Sequence, residues 1–394
     1  MYVFTGIAWL AVIVLIVSLG SAFVDTIWSV YMQSLFKNIA LVSFFSAFLT
    51  IIAFLGFFIL VPIIERTNKS KLYICSLVLI GITYVLFALN KNIFIFTALA
   101  LILTLLTSLK ITSFGIIIRD KSRAENLSRN EGLMYTFLNI AWVIGPLIAG
   151  YVSEAYGIHL IFLLAAIFIL IAGFIFKISK VNDSHVSKKI DTNVIQNFRN
   201  FFKDKNRTKA YIIGGGIYLW LILIYLYMPL FILDNGLNNL WIGYFLFAFS
   251  VPLIIFEYGA SKLAGKIGFK SMFKIGFFIL FASAVLSFLL EDVYAVMGIL
   301  VAGAIGAAIL EPTIEAYFFD VLKTKDEEAE YYGPYNTTID VSQFLGKALA
   351  GLILLFLPFK FIFLFFALFM FAYFLFSFRI KEIKECLRKK TCKK

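Results

Sequence analysis

A chain of 394 residues that is 62% hydrophobic and only 15% charged, with a mean hydropathy of +0.95, cannot hide its apolar surface in a water-soluble core. Soluble domains carry about a quarter charged residues. The net charge of +12 is spread through short connections instead of being gathered on one soluble module, so no nucleic-acid partner is expected.

A helix crosses a bilayer with about 20 apolar residues. Twelve such stretches are predicted, at 7–32, 39–64, 71–90, 93–119, 131–153, 159–177, 209–233, 239–264, 270–290, 293–320, 334–357 and 359–379. The reading is an all-α integral membrane protein with 12 transmembrane helices, and most of the 46 Phe are expected to face lipid. The first 36 residues hold no Lys or Arg, so the charged leader of a cleavable signal is missing and span 1 is read as permanent. Of the 35 Lys and Arg, Lys37, Lys91 and Lys360 fall in odd-numbered connections and Lys110 and Lys347 within spans. All the others lie in even-numbered connections, at nearby span ends or in the tail. Because basic residues stay on the cytoplasmic side, the chain is expected to be a multi-pass protein of the cell membrane with both termini cytoplasmic. The domain reading is a six-helix bundle over 1–177, a cytoplasmic linker over 178–208, a second bundle over 209–380 and a basic tail over 381–394.

A charge at the centre of a membrane helix costs on the order of 3 kcal/mol on insertion scales, so each one has to be paired, hydrated or neutral. In chain order, span 1 carries Asp25 with Ser18, Ser21 and Ser29 on its face, an acid among hydroxyls. Span 4 carries Lys110, about nine residues or roughly 13 Å from the span end, too far to reach the surface easily. The linker holds "NVIQNFRNFFKDKNRTK", in which Val194, Ile195, Phe198, Phe201 and Phe202 recur at helical spacing and basic residues follow. That pattern predicts a short helix lying on the inner membrane surface, or else a disordered linker. Span 7 has Tyr211, Tyr218 and Tyr225 seven residues apart, facing either a cavity or lipid. Span 8 carries Glu257, read as an interhelical contact.

Span 10 carries Glu311 and Glu315, four residues apart and therefore on one face. Two carboxylates a turn apart resist being ionised together, and a carboxyl that exchanges its proton is what proton coupling needs. Pro312 removes a backbone hydrogen bond there and makes span 10 a candidate gate. Span 11 carries Asn336, Asp340, Gln343 and Lys347 as a polar stripe that lipid cannot satisfy. Asp340 and Lys347 are two turns apart, so Lys347 is a candidate partner for Glu311 instead. A packing network that fixes helix position is the alternative role for the stripe.

The two halves of the chain are repeats. A shift of 201 residues lays "IAWVIGPLIAG" (140–150) on "VSQFLGKALAG" (341–351), pairing Gly145 with Gly346 and Gly150 with Gly351. The same shift pairs Asn139 with Asp340, Arg119 with Asp320 and Lys110 with Glu311. A shift of 200 lays 65–69 on 265–269. Parallel repeats are a transporter architecture with a site near the midplane, and pseudo-symmetry predicts that Lys110 and Glu311 face each other across it.

"VPIIERTNK" (61–69) resembles the signature loop of the major facilitator superfamily: glycine, three residues, Asp-Arg, any residue, glycine, then basic residues. Arg66 and Lys69 match, Glu65 stands for the Asp, and Val61 and Asn68 replace the glycines. In "SKLAGKIGFK" (261–270), the second-half counterpart, Lys266, Gly268 and Lys270 match and Gly265 stands for the acid. "AWVIGPLIAG" is similar to the Gly-Pro motif of the family's drug/proton antiporters at Gly145, Pro146 and Gly150, with Ala141 and Ala149 for glycines. Lys110 falls near the basic residue of the family's span-4 motif, with Gly115 one residue late.

The resemblance implies the major facilitator fold, two pseudo-symmetric six-helix bundles working by alternating access. It also implies a cytoplasmic latch, read here as Glu65–Arg119 and Arg66–Asp120, made in the outward-open state and broken in the inward-open one. The expected function is secondary transport of a small molecule, coupled to protons and directed outward, by a monomer in the lipid bilayer. An uncoupled facilitator or lipid flippase is the alternative on the same fold. A non-transporting sensor or intramembrane enzyme would need a soluble domain or a cluster of nucleophiles and metal ligands. Cys75, Cys386 and Cys392 match no disulfide, metal or redox spacing, and His159 and His185 sit at segment edges, so neither a cofactor nor a metal is expected.

Overall fold

The computed structural model describes residues 6–121, 127–179, 194–322 and 324–380. All its regular elements are helical: α1 (Gly6–Phe36), α2 (Ile39–Arg66), α3 (Lys69–Leu89), α4 (Ile93–Lys121), α5 (Leu127–Tyr156), α6 (Ile158–Ile178), α7 (Val194–Lys203), α8 (Lys205–Ile222), α9 (Met228–Asp234), α10 (Asn239–Ile267), α11 (Phe269–Leu289), α12 (Val293–Val321), α13 (Lys325–Phe356) and α14 (Phe361–Ser377). Eleven helices are long and apolar enough to cross a membrane when α8 and α9 are taken as one rod, and α14 is a shorter apolar helix of 17 residues. These are the 12 predicted spans.

Helix ends are set by local chemistry. Asn68 caps α3 by accepting from the Lys71 N–H at 2.8 Å, and Asp292 caps α12 by accepting from Ala295 at 2.8 Å. Side-chain oxygens at these positions satisfy amides that the helix leaves open. Between α3 and α4, Asn90 and Asn92 fold the turn on themselves, with Asn92 also accepting from Phe94 at 2.8 Å. Gly157 is the single residue between α5 and α6, and Gly268 the single residue between α10 and α11. Their backbone angles, φ 91°/ψ 159° and φ 86°/ψ 155°, lie where only glycine is unstrained.

Two departures from the sequence expectation stand out. The rod of span 7 contains a π turn, Leu223–Tyr227, in a stretch that reads as ordinary helix. α13 begins at Lys325, nine residues ahead of the expected start, and runs through Pro334. Its early turns are held by ring stacking on α12: Phe318 on Tyr335 at 3.8 Å and Phe319 on Tyr332 at 5.9 Å between centroids.

The helices gather into two compact units. The first draws on Met1–Asn38, Phe48–Ile190 and Ile232–Phe247, the second on Ile39–Ala47, Asp191–Phe231 and Ala248–Lys394. In the first, α1 packs on α5, α6 and α4, and α3 packs on α4 and α6. In the second, α8 packs on α13, α14 and α12, and α11 packs on α12 and α14. The second pattern is the first repeated, helix for helix, so the two six-helix bundles are pseudo-symmetric in their internal packing.

The repeat glycines sit where this packing is tightest. A Cβ on Gly145 would stand 2.6 Å from the Ala22 Cβ, and one on Gly346 would stand 2.5 Å from Leu219 and 2.7 Å from Ile222. Small residues let membrane helices approach this closely. Gly150 meets Gly243 of α10 within the first unit, while Gly351 meets Ser43 and Phe44 of α2 within the second. Gly150 and Gly351 are repeat partners, and Ser43 and Gly243 are 200 residues apart, so each unit makes the same crossing. Pro146 serves the first one through its carbonyl, 2.5 Å from where a Gly243 Cβ would stand.

Candidate functional site

In the first unit the ionisable residues within spans converge from three helices. Asp25 lies midway along α1, where neighbouring helices enclose it although its side chain stays open to water-sized molecules. Lys110 of α4 is buried, with 8% exposure, and its ammonium donates to the Ser21 hydroxyl at 3.2 Å. Asp25 and Lys110 attract each other through their charges without closing to a direct ion pair, and Tyr84 of α3 feels the same carboxylate. The sequence reading takes Asp25 as an isolated acid among hydroxyls. The structure gives it a cation, and one of those hydroxyls, Ser21, holds that cation in place. Two further hydroxyls near the pair in sequence, Ser29 and Ser113, are buried with no hydrogen-bond partner.

The second unit holds a carboxylate cluster and a separate compensated pair. Glu311 and Glu315 lie on one face of α12, both open to water-sized molecules, and Glu311 is enclosed by protein. Glu257 of α10, half-buried, interacts with Glu311 as a like charge, as does Glu315. Sequence reasoning left Glu257 outside the site; the available signal was a third acid, in the inner half of its span, with no cation at helical spacing. Among the described residues no group of His, Cys, Asp and Glu is arranged to hold a metal. α12 runs unbroken through Pro312, and Thr313 donates its hydroxyl to the Ile309 carbonyl beside it. On α13, Lys347 donates to Gln343 at 2.7 Å and interacts with Asp340 through charge. Lys347 is thus engaged along its own helix. Lys110 belongs to the first unit and Glu311 to the second.

The tyrosine stripe of span 7 faces protein. Tyr211 shares a 3.3 Å hydrogen bond with Thr337, and Tyr225 sits edge-on to Phe249 at 6.5 Å. The π turn places the Tyr227 hydroxyl 2.7 Å from the Ser43 hydroxyl in a fully buried bond. The expected latch residues occupy helix ends, Glu65 and Arg66 closing α2, Arg119 and Asp120 in the last turn of α4. Their side chains lie outside the described residues, as do the tail with Cys386 and Cys392, and His185.

The comparisons agree with this architecture. The profile of the Major Facilitator Superfamily matches residues 10–290 and 236–385. An uncharacterised MFS-type transporter of Methanocaldococcus jannaschii is 22% identical over 245 residues, 61% of this chain and 62% of that relative's length. Three solved structures share the fold. A POT family transporter in complex with a thioalcohol-conjugated peptide has a TM-score of 0.78 at 15% identity, covering 95% of this chain and 96% of its own. The nucleoside transporter NupG gives 0.78 at 12% identity, covering 95% and 100%. A bacterial homologue of the iron transporter ferroportin, in an inward-facing state, gives 0.73 at 14% identity, covering 95% and 98%. Membrane-length helices, two six-helix units with one internal packing pattern, and a profile match over nearly the whole chain have one explanation: the chain belongs to the Major Facilitator Superfamily, a family of multi-pass membrane transporters.

Proposed function

We propose that this protein is a proton-coupled secondary transporter that moves a small organic molecule out of the cell by alternating access. The observation that carries the reading is the cluster of Glu311, Glu315 and Glu257. Glu311 is enclosed by protein yet open to water-sized molecules and has Glu257 and Glu315 as like-charged neighbours, a setting in which a carboxyl can take up a proton and hand it on. Glu311, enclosed yet reachable, is the assigned proton carrier, with Glu315 and Glu257 setting how readily it releases the proton. Asp25 and Lys110 form the polar element of the first unit that contacts substrate. Asp340 and Lys347 tune the second unit from α13. The protein works as a monomer in the cell membrane with both termini cytoplasmic, and Glu65, Arg66, Arg119 and Asp120 form the cytoplasmic latch.

An uncoupled facilitator is the second reading. It draws support from the two couples of opposite charge, Asp25 with Lys110 and Asp340 with Lys347, because opposite charges that attract each other serve structure as well as transport. Purified protein in vesicles with an internal pH-sensitive dye, challenged with a substrate panel, separates the two. Coupling predicts that an effective substrate moves protons in the parent and that Glu311→Gln ends the proton movement. Substrate flux with no pH change in the parent establishes the facilitator, and proton movement retained by both Glu311→Gln and Asp25→Asn removes the carboxylate assignment.

A further inference from the structure

The linker helix α7 is held in the second unit chiefly through Arg207. Arg207, buried on α8, donates from Nη2 to the Asn200 carbonyl at 2.9 Å and from Nε to the Phe201 carbonyl at 3.3 Å. Its Nη1 pairs with Glu327 of α13 at 3.3 Å, and its guanidinium lies over the Tyr331 ring at 4.1 Å. Thr208 adds a bond to the Phe202 carbonyl at 3.3 Å, and Asp204 caps α8 by accepting from Asn206 and Arg207. The last carbonyls of α7, where the helix dipole favours a cation, are therefore clasped from below. Phe201 is fully buried against Tyr211 and Tyr331, which corrects the sequence expectation that it would face the membrane.

The clasp fixes which face of α7 is left outward. Phe202 packs edge-on to Tyr211 at 5.1 Å and remains 43% exposed, and Arg199, Lys203 and Lys205 are exposed as well. Only Asp204 separates α7 from α8, whose first residue, Lys205, opens a candidate membrane span. A helix locked in this way at a span end would stand at headgroup depth, and an aromatic ring beside three exposed cations is the complement of an anionic membrane surface. The same rim holds Lys209, bonded to the Arg379 carbonyl at 2.8 Å, and Lys274, over the Phe378 ring at 4.1 Å.

We propose that α7 and the first turn of α8 form a binding surface for anionic phospholipid headgroups of the inner leaflet. Arg199, Lys203 and Lys205 are the contact residues, Phe202 is the wedge, and Arg207 is the positioning residue that holds the surface in register. The assignment to the inner leaflet rests on the orientation proposed above.

The test is hydrogen exchange of the segment 194–203 in the full chain, in nanodiscs of phosphatidylcholine alone or with about one-third phosphatidylglycerol. The combined attraction of three basic residues to an anionic surface predicts exchange roughly 100-fold slower with phosphatidylglycerol. High salt should remove the effect. Arg199→Gln, Lys203→Gln and Lys205→Gln together should abolish it while leaving exchange in phosphatidylcholine unchanged. Arg207→Lys should speed exchange in both lipids, because the fork that reaches two carbonyls and Glu327 is lost. Equal exchange in the two lipids overturns the proposal, as does protection retained by the triple variant. Protection by inorganic phosphate in phosphatidylcholine would show a free-anion site instead. A membrane-impermeant thiol reagent applied to intact cells, with Asn197→Cys in an otherwise cysteine-free chain, tests the orientation by itself. Labelling from outside would overturn the leaflet, while the nanodisc comparison still decides the lipid.

Discussion

Gly150 and Gly243 meet backbone to backbone: a Cβ on Gly150 would stand 2.9 Å from the Gly243 Cα, and one on Gly243 would stand 3.1 Å from the Gly150 Cα. The crossing is fastened beside it by Glu154, whose carboxylate accepts from the Asn239 N–H at 3.0 Å as α10 begins. Gly243→Leu is expected to lower stability by about 1–3 kcal/mol, the usual cost of overpacking. Thermal unfolding in detergent measures it. Gly298→Leu is the control, since nothing lies within 4 Å of a Cβ at that position, and it should leave the unfolding temperature where it was.

The carboxylate cluster predicts an opposite sign of effect. Removing the like-charge repulsion between Glu311 and Glu257 should stabilise the fold at neutral pH, by about 1 kcal/mol at an effective dielectric typical of proteins. Glu257→Gln and Glu311→Gln should therefore both unfold at higher temperature than the parent. Glu311→Gln should in addition lose substrate-driven proton movement, a trade of function for stability. A lower unfolding temperature for both variants would mean that like-charge repulsion at Glu311 does not govern stability here.

Asp25 and Lys110 should behave as a coupled pair. Asp25→Asn strands a buried ammonium on Ser21, and Lys110→Met strands a carboxylate. Each single change should destabilise more than half as much as the double variant, with a coupling of about 1–2 kcal/mol. A double-mutant cycle in thermal unfolding reads this directly, and strict additivity would show that the two charges are independent.

The latch prediction concerns populations. Arg119→Ala should favour the inward-open state, because an interaction specific to the outward-open state would be gone. A difference of a few kcal/mol between states shifts their ratio tenfold or more. Thiol accessibility from the outer side should fall, and unchanged labelling would remove the latch.

Much of the fold is legible in the sequence because the bilayer imposes one simple requirement, length of apolar helix, and the twelve spans follow from it. Gly145, Gly150 and Gly346 are legible as repeat partners, although what each one touches is not: Ala22, Gly243 and Leu219 come from distant segments. The extension of α13 to Lys325 was hidden because "KDEEAEYYGP" is polar and ends in Gly-Pro. Its turns are held by Phe318 and Phe319 rings that propensity does not see. Among the site residues, the intramembrane charges themselves were plain. Their partners were not, since one sequence gives depth along a helix and leaves open which neighbour shares that depth. Lys347 shows the difference: it reads as a candidate for Glu311 and is engaged by Gln343 of its own helix.

The π turn at Leu223–Tyr227 takes in one residue more than the α-helical turns around it. One residue is about 100° of helical rotation, so the segment after the turn is phased differently from the segment before it. That phase brings Tyr227 to Ser43 and sets Phe231 between Phe359 and Phe363. Drawing this stretch into a regular α-helix with every residue kept would rotate everything beyond it by about 100° and swing all of these side chains toward the wrong neighbours. Exchanging one apolar residue for another there would disturb little. The information held in this turn is a count, and an engineer shortening the loop beyond it has to leave that count alone.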